Sequence, residues 1–244
     1  FSLFAAAMNY NQLKQMTITF SVLALLLNIL IGLIISKNIT NNLSKITRVI
    51  KRLTTESSDV KKLSQIEVNS RDEIQDIAKA FNNMTHTLKE KSWLETSIAE
   101  MATMYQGIHD LQTLGQQFIN KITPMIGANY GVFYARQGTG EQRFYTIAAY
   151  AFNGQEMGAS SFRFGEGIVG QAALEKRTIH LTDIPENYIK IASGVGEAAP
   201  ASLIVIPVEF EGEITVVIEI ASFKKFTAIQ ETLLQQVANQ IGIT

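Results

Sequence analysis

From Met16 to Ile35 the only hydrogen-bonding side chains are Thr17, Thr19, Ser21 and Asn28. About 20 such residues cross a bilayer core of about 30 Å as one helix, so a membrane span over residues 16–36 is expected. The pattern then changes. Ile39, Leu43, Ile46, Ile50 and Leu53 recur in steps of four and three, the seam of a coiled coil, and small polar residues end the stripe at Thr54 to Ser58. Between Asp59 and Asn69, Val60, Leu63, Ile66 and Val68 lie among charges, as in an extended connector. Ser70-Arg71-Asp72-Glu73 supplies polar caps and acidic residues for a new helix start, with Glu73 in its first turn. Ile74, Ile77, Phe81, Met84 and Leu88 resume the steps of three and four. Two heptad helices with too little apolar surface for a monomeric core predict a parallel four-helix bundle built by a homodimer.

A third stripe, Trp93, Leu94, Ile98, Met101, Tyr105 and Ile108, falls out of register with the second, because Leu88 and Leu94 are six residues apart. It reads either as a signalling helix over residues 91–109 or as the first helix of the next domain. Asp110 opens a helix with Leu111, Leu114, Phe118, Ile122, Met125 and Ile126 on one face. Strand-like segments follow at Gly131–Arg136, Arg143–Phe152, Ser161–Phe164, Thr178–Leu181, Leu203–Phe210 and Ile214–Ser222. Helices are expected from Ile168 to Lys176 and from Thr227 through Ile241. Residues 110–244 thus read as α+β, an antiparallel sheet with flanking helices.

Charge orients the first helix. Lys37, Lys45, Arg48, Lys51 and Arg52 follow the apolar run with no acidic residue before Glu56, whereas Lys14 is the only charge ahead of it. The positive side stays in the cytoplasm, so a single-span protein of the inner (plasma) membrane is expected, with residues after Ser36 cytoplasmic and residues 1–15 an extracellular helix end. The net charge of −1 gives no bulk attraction for nucleic acid. The absence of cysteine removes disulfides, thiolate metal sites and cysteine nucleophiles. The sequence has no His-Glu-X-X-His pattern, phosphate-binding Gly-Lys-Ser/Thr loop or Gly-X-Ser-X-Gly elbow, so neither a catalytic apparatus nor a metal or cofactor is expected. His86, His109 and His180 stand apart in sequence. The chain opens at Phe1 without an initiator Met and reads as part of a longer protein with an output domain beyond Thr244.

Two resemblances follow from these residues. The apolar helix, the first seam, the connector and Arg71-Asp72-Glu73-Ile74 with Ile77, Phe81, Asn82 and Met84 resemble a HAMP domain, placed at residues 37–90. That resemblance implies a relay core of Ile46, Ile50, Ile66, Val68, Glu73, Ile77, Phe81 and Met84. The run from Phe164 to Ala172 (Phe-Gly-Glu-Gly-Ile-Val-Gly-Gln-Ala), Ile179 to Pro185, and Pro207 to Ile220 with its Glu-Gly-Glu turn resemble a GAF domain. Gly131-Val132-Phe133-Tyr134, Tyr188 to Gly194 and Val217 to Phe223 are similar to the GAF domains of bacterial membrane-bound hybrid sensor histidine kinases. What this implies is a two-component sensor whose missing kinase core would act on a response regulator. A GAF sheet usually has a pocket roofed by its middle loops, here Pro185 to Pro200. The implied lining is Phe133, Tyr150, Phe164, Tyr188, Ser193 and Glu197, for a small ligand of unknown identity. Phe133, Tyr150, Phe162 and Phe164 read equally as plain core. Glu166, between two glycines, is expected to cap the helix that follows. The GAF domain as the sensor itself, or a nucleotide cyclase as output, are the other readings.

Overall fold

The computed structural model describes residues 2–55, 65–66, 73–137, 143–151, 161–185, 188–193 and 196–242. These fall into two compact units, residues 1–89 and 90–244.

The first unit begins with α1 (Ser2–Thr55), a single helix through the apolar run and the basic segment. Its stretch Gln12–Arg48 is long and apolar enough to cross a membrane, and none of its most apolar window is buried by protein. Within that run Thr17, Thr19 and Asn28 return their polar atoms to carbonyls one turn earlier, which lets an apolar helix carry them without exposing unmet donors. The second helix, α2 (Glu73–Met104), has its first half in this unit. Ile46 of α1, Ile66 of the connector, and Ala78 and Phe81 of α2 form a small buried cluster, with Ile74 at its margin.

The second unit carries a six-stranded antiparallel sheet in the order β3-β2-β1-β8-β7-β4. Its strands are β1 (Tyr130–Gln137), β2 (Arg143–Tyr150), β3 (Ser161–Arg163), β4 (Ile179–Leu181), β7 (Ser202–Phe210) and β8 (Glu213–Ser222). A separate hairpin, β5 (Ile191–Ser193) with β6 (Gly196–Ala198), lies in the segment expected to form the roof. The helices are α3 (Leu111–Met125), α4 (Gly167–Glu175) and α5 (Ala228–Ile241).

Both faces of the sheet are buried, which is why β7 and β8 read as nearly unbroken apolar runs. On one face Phe118, Ile119 and Ile122 of α3 and Leu233, Leu234 and Val237 of α5 pack on Phe133, Ile204, Ile206, Ile218 and Ile220. The opposite face carries Tyr130, Val132, Tyr134, Phe144, Leu203, Val205 and Val217, covered by Val169, Ala172 and Ala173 of α4 and by Ile191 of β5. Asp110 accepts the Thr113 N–H at 2.8 Å and starts α3, as its position predicts. At α5 the Gln230 amide oxygen accepts the Thr227 N–H at 2.8 Å while its amide nitrogen donates to the Ile126 carbonyl at 2.9 Å. One side chain therefore caps a helix and ties it to the end of α3.

The third stripe belongs to this unit. Trp93, Leu94 and Ile98 flank the helix-side core, Met101 and Tyr105 are inside it, and the Tyr105 hydroxyl donates to the Val237 carbonyl at 3.4 Å. The second half of α2 is thus the first helix of the sheet domain, in one uninterrupted helix with the second stripe. Six residues are about one and two-thirds helical turns, so the stripe swings to another face of the same helix.

Candidate functional site

In the first unit the expected relay residues separate into two groups. Ile46, Ile66 and Phe81 come together in the buried cluster. Ile77 and Met84, seven residues apart on α2, stay about half exposed in the single chain, as do Leu88 and, on α1, Ile39 and Leu43. So α2 has one apolar stripe (Ile74, Ala78, Phe81) spent within the chain and a second (Ile77, Met84, Leu88) that is not. Val68, the side chain of Ile50 and the side chain of Glu73 lie outside the described residues.

Asn82 holds the connector. Its amide oxygen accepts the Ile66 N–H at 2.9 Å and its amide nitrogen donates to the Ile66 carbonyl at 3.0 Å, the pairing a neighbouring strand would give. Asn82→Ala should release Ile66 from α2 at a cost of about 1–3 kcal/mol, because two part-buried backbone groups lose their partners. Hydrogen exchange at the Ile66 amide checks this. Unchanged protection in the variant would show that the clamp contributes nothing.

In the second unit the expected pocket residues do not all share a face. Strand alternation puts Phe133 and Tyr134 on opposite sides of β1. Phe133 points into the helix-side core, edge-on to Phe118 with ring centroids 5.9 Å apart, and Tyr150 packs at the margin of that same core. Neither belongs to a pocket under the middle loops. Phe164 is on the opposite face, 5.1 Å from the Phe144 ring, with Phe162 edge-on to Tyr134 at 5.5 Å. Tyr188 is half exposed in the segment before β5. Glu197 is exposed on β6 and pairs with Lys190; the side chain of Ser193 lies outside the described residues. Glu166 is the N-cap of α4 by position, yet its side chain makes no bond to the helix. Its carboxylate accepts the N–H of Arg163, the last residue of β3, at 2.8 Å, because the turn folds it back over the strand end.

The sequence reading passed over the most unusual group on this face. Glu219 sits in the middle of β8, opposite Val132 of β1 and Val205 of β7, and is 7% exposed. Its carboxylate accepts from the Tyr134 hydroxyl at 2.8 Å, a diagonal cross-strand pair, and this is its only hydrogen bond among the described residues. Burial raises the Glu219 pKa, and the Tyr134 hydrogen bond opposes that rise. Burial, then the Glu219 charge, holds the Tyr134 phenol well above its ordinary range; the same two causes raise Tyr188. A clue was present: Glu219 is the one charge in Val216-Val217-Ile218-Glu219-Ile220-Ala221, a run whose two faces are both apolar.

A raised carboxyl pKa means that the folded chain holds its proton more tightly than the unfolded one. Its contribution to stability is present below the ordinary value of 4.5 and is lost as pH rises through the folded pKa. Glu219→Gln should therefore flatten the decline of the guanidinium midpoint with rising pH in that window. A decline as steep as in the wild type would assign it to other groups.

Residues 108–244 match the GAF domain family and residues 34–90 the HAMP domain family. No curated protein matches the chain. Among solved structures, the GAF domain of a phosphoenolpyruvate-protein phosphotransferase from Coxiella burnetii is 16% identical, with a TM-score of 0.52 over 62% of this chain and 90% of that one. The corresponding GAF domain from Acinetobacter is 17% identical, with a TM-score of 0.50 over 63% and 90%. At such identities the likeness concerns the fold. With its matching region covering more than half of the sequence, the chain belongs to the GAF domain family and carries a HAMP domain ahead of it, the organisation of a signal-transduction sensor module.

Proposed function

We propose that the chain is the transmembrane relay segment of a two-component sensor histidine kinase, working as a homodimer in the inner membrane. A stimulus rotates, shifts or tilts α1; the HAMP bundle, with alternative packings a few kcal/mol apart, passes the bias to the GAF domain and to a kinase core that acts on a response regulator. The observation that carries this reading is the second apolar stripe of α2, Ile77, Met84 and Leu88, exposed in a chain whose HAMP match calls for a partner helix. Ile39 and Leu43 offer the matching ridge on α1. The long apolar stretch of α1 and the basic residues after it support the membrane placement.

Because the chain has no native cysteine, single cysteines report pairing without background. Met84→Cys in membranes should form a disulfide-linked dimer, while Asp76→Cys, on an exposed face of the same helix, should not. A strictly monomeric Met84→Cys chain would overturn the relay. A charged residue at Ile77 should lock or abolish output while leaving membrane insertion intact.

A second reading, in which the GAF domain is the sensor, is favoured by one observation, the buried Glu219 beneath the Tyr188 segment.

A further inference from the structure

Glu219 is a poor structural residue. Taking a carboxylate out of water costs several kcal/mol unless a cation or a set of hydrogen bonds replaces the solvent. An ionised carboxylate has about four acceptor positions, and the described residues use one of them, through the neutral hydroxyl of Tyr134. No lysine, arginine or histidine among the described residues pairs with it. The groups that feel the Glu219 charge are phenols, Tyr134 and Tyr188. Tyr134 is buried within the sheet, and Tyr188 is half exposed at the protein surface. Val132, Val205, Phe144, Phe162 and Ile191 supply apolar surface on this face, and Tyr130 adds a third phenol.

A buried carboxylate without a countercharge among the described residues, two phenols that feel its charge and a largely apolar surround together suit one kind of ligand. We propose that Glu219, Tyr134 and Tyr188 bind a small primary amine with an apolar body, its ammonium on the Glu219 carboxylate and its hydrocarbon against the Val132, Phe144 and Val205 side of the sheet. The ammonium supplies the donors that Glu219 lacks, and the aromatic rings, Tyr188 above all, offer their faces to the cation. Tyr188 is the residue that must shift to admit it, since it alone of the three borders solvent. This proposal rests on the sensor reading of the GAF domain and names the ligand class of that site. It does not depend on how the HAMP bundle relays a signal.

The test uses the full chain in nanodiscs and two pairs of probes, isobutylamine against isobutanol and benzylamine against benzyl alcohol, with binding read by saturation-transfer NMR. At least one amine should bind while its alcohol does not. Glu219→Gln should weaken the amine about ten- to hundred-fold, the range expected when a charged hydrogen bond is lost. Tyr188→Ala should weaken it less, with Tyr188→Phe restoring most of the loss because the ring face is kept. Binding should also fall as the pH is lowered and Glu219 takes up its proton. Because the Gln variant removes a buried charge, it is expected to fold, and its melting curve is the control. Amines and alcohols that bind alike, or amine binding that survives Glu219→Gln in a folded chain, overturn the proposal. Amine binding that leaves the Met84→Cys dimer crosslink unchanged supports the site and separates it from the relay.

Discussion

Phe133→Ala should destabilise the GAF domain by about 3–5 kcal/mol, the range for removing a fully buried aromatic ring from a packed core. Phe133 is wholly inaccessible. Its ring fills the space between β1 and α3, edge-on to Phe118, and lies over Gly115, where an added Cβ would come within 3.0 Å of it. Little in that layer can close the gap, since α3 is already drawn down to the sheet by a glycine. Trp93 is the only tryptophan and packs against the same core, so its fluorescence follows unfolding of this unit in the full chain. An unchanged guanidinium midpoint would mean that the face assignment of β1 is wrong. The neighbouring change Tyr134→Phe makes the contrast: it keeps the ring, removes one hydroxyl from the other face, and should cost about 1–2 kcal/mol.

Gly170→Ala should be as damaging for a different reason. A Cβ built at Gly170 would lie 2.0 Å from the carbonyl oxygen of Arg163, a backbone atom that cannot rotate away. The same glycine donates its N–H to the Glu166 carbonyl at 3.0 Å and accepts the Gly165 N–H at 2.8 Å, so the turn from β3 into α4 closes on it. Relief of the clash requires α4 to lift from the sheet, carrying Val169, Ala172 and Ala173 out of the face that contains Glu219. A loss of about 3 kcal/mol or more is expected, at or above the upper end for overpacking. Gly196→Ala, at a position with nothing within 4 Å, is the neutral comparison. Equal melting temperatures for the two variants would refute this account of Gly170.

How far the fold was legible follows from the same residues. Alternation and apolar runs delimit β1, β2, β7 and β8 to within a residue or two over the described segments, because burial on both faces leaves few polar interruptions. The hairpin β5–β6 was not read: Ala192, Gly196, Glu197 and Ala198 are exposed and carry no periodic pattern. Which of the expected pocket residues share a face was not legible, because alternation separates Phe133 from Tyr134 but does not say which side the helices take. That choice depends on α3 and α5 packing on one face, although their residues are more than a hundred positions apart in the chain. On the HAMP side the stripes were legible as apolar positions. Their division into a face used within the chain and one left exposed in the single chain emerges only when Ile46, Ile66 and Phe81 meet. Glu219 was visible as a lone charge in an apolar run, yet its meaning required Tyr134 and Tyr188 to converge on it.

The two outermost strands of the large sheet, β3 and β4, are three residues each, while the interior strands β7 and β8 have nine and ten. Long flat borders would template the addition of strands from neighbouring molecules, the route to fibrillar aggregation. A protein tethered to a bilayer is crowded into two dimensions at high local density, where such templating is most dangerous. On the membrane placement proposed above, stubby borders would let these domains collide repeatedly in their lateral diffusion without zipping into one another.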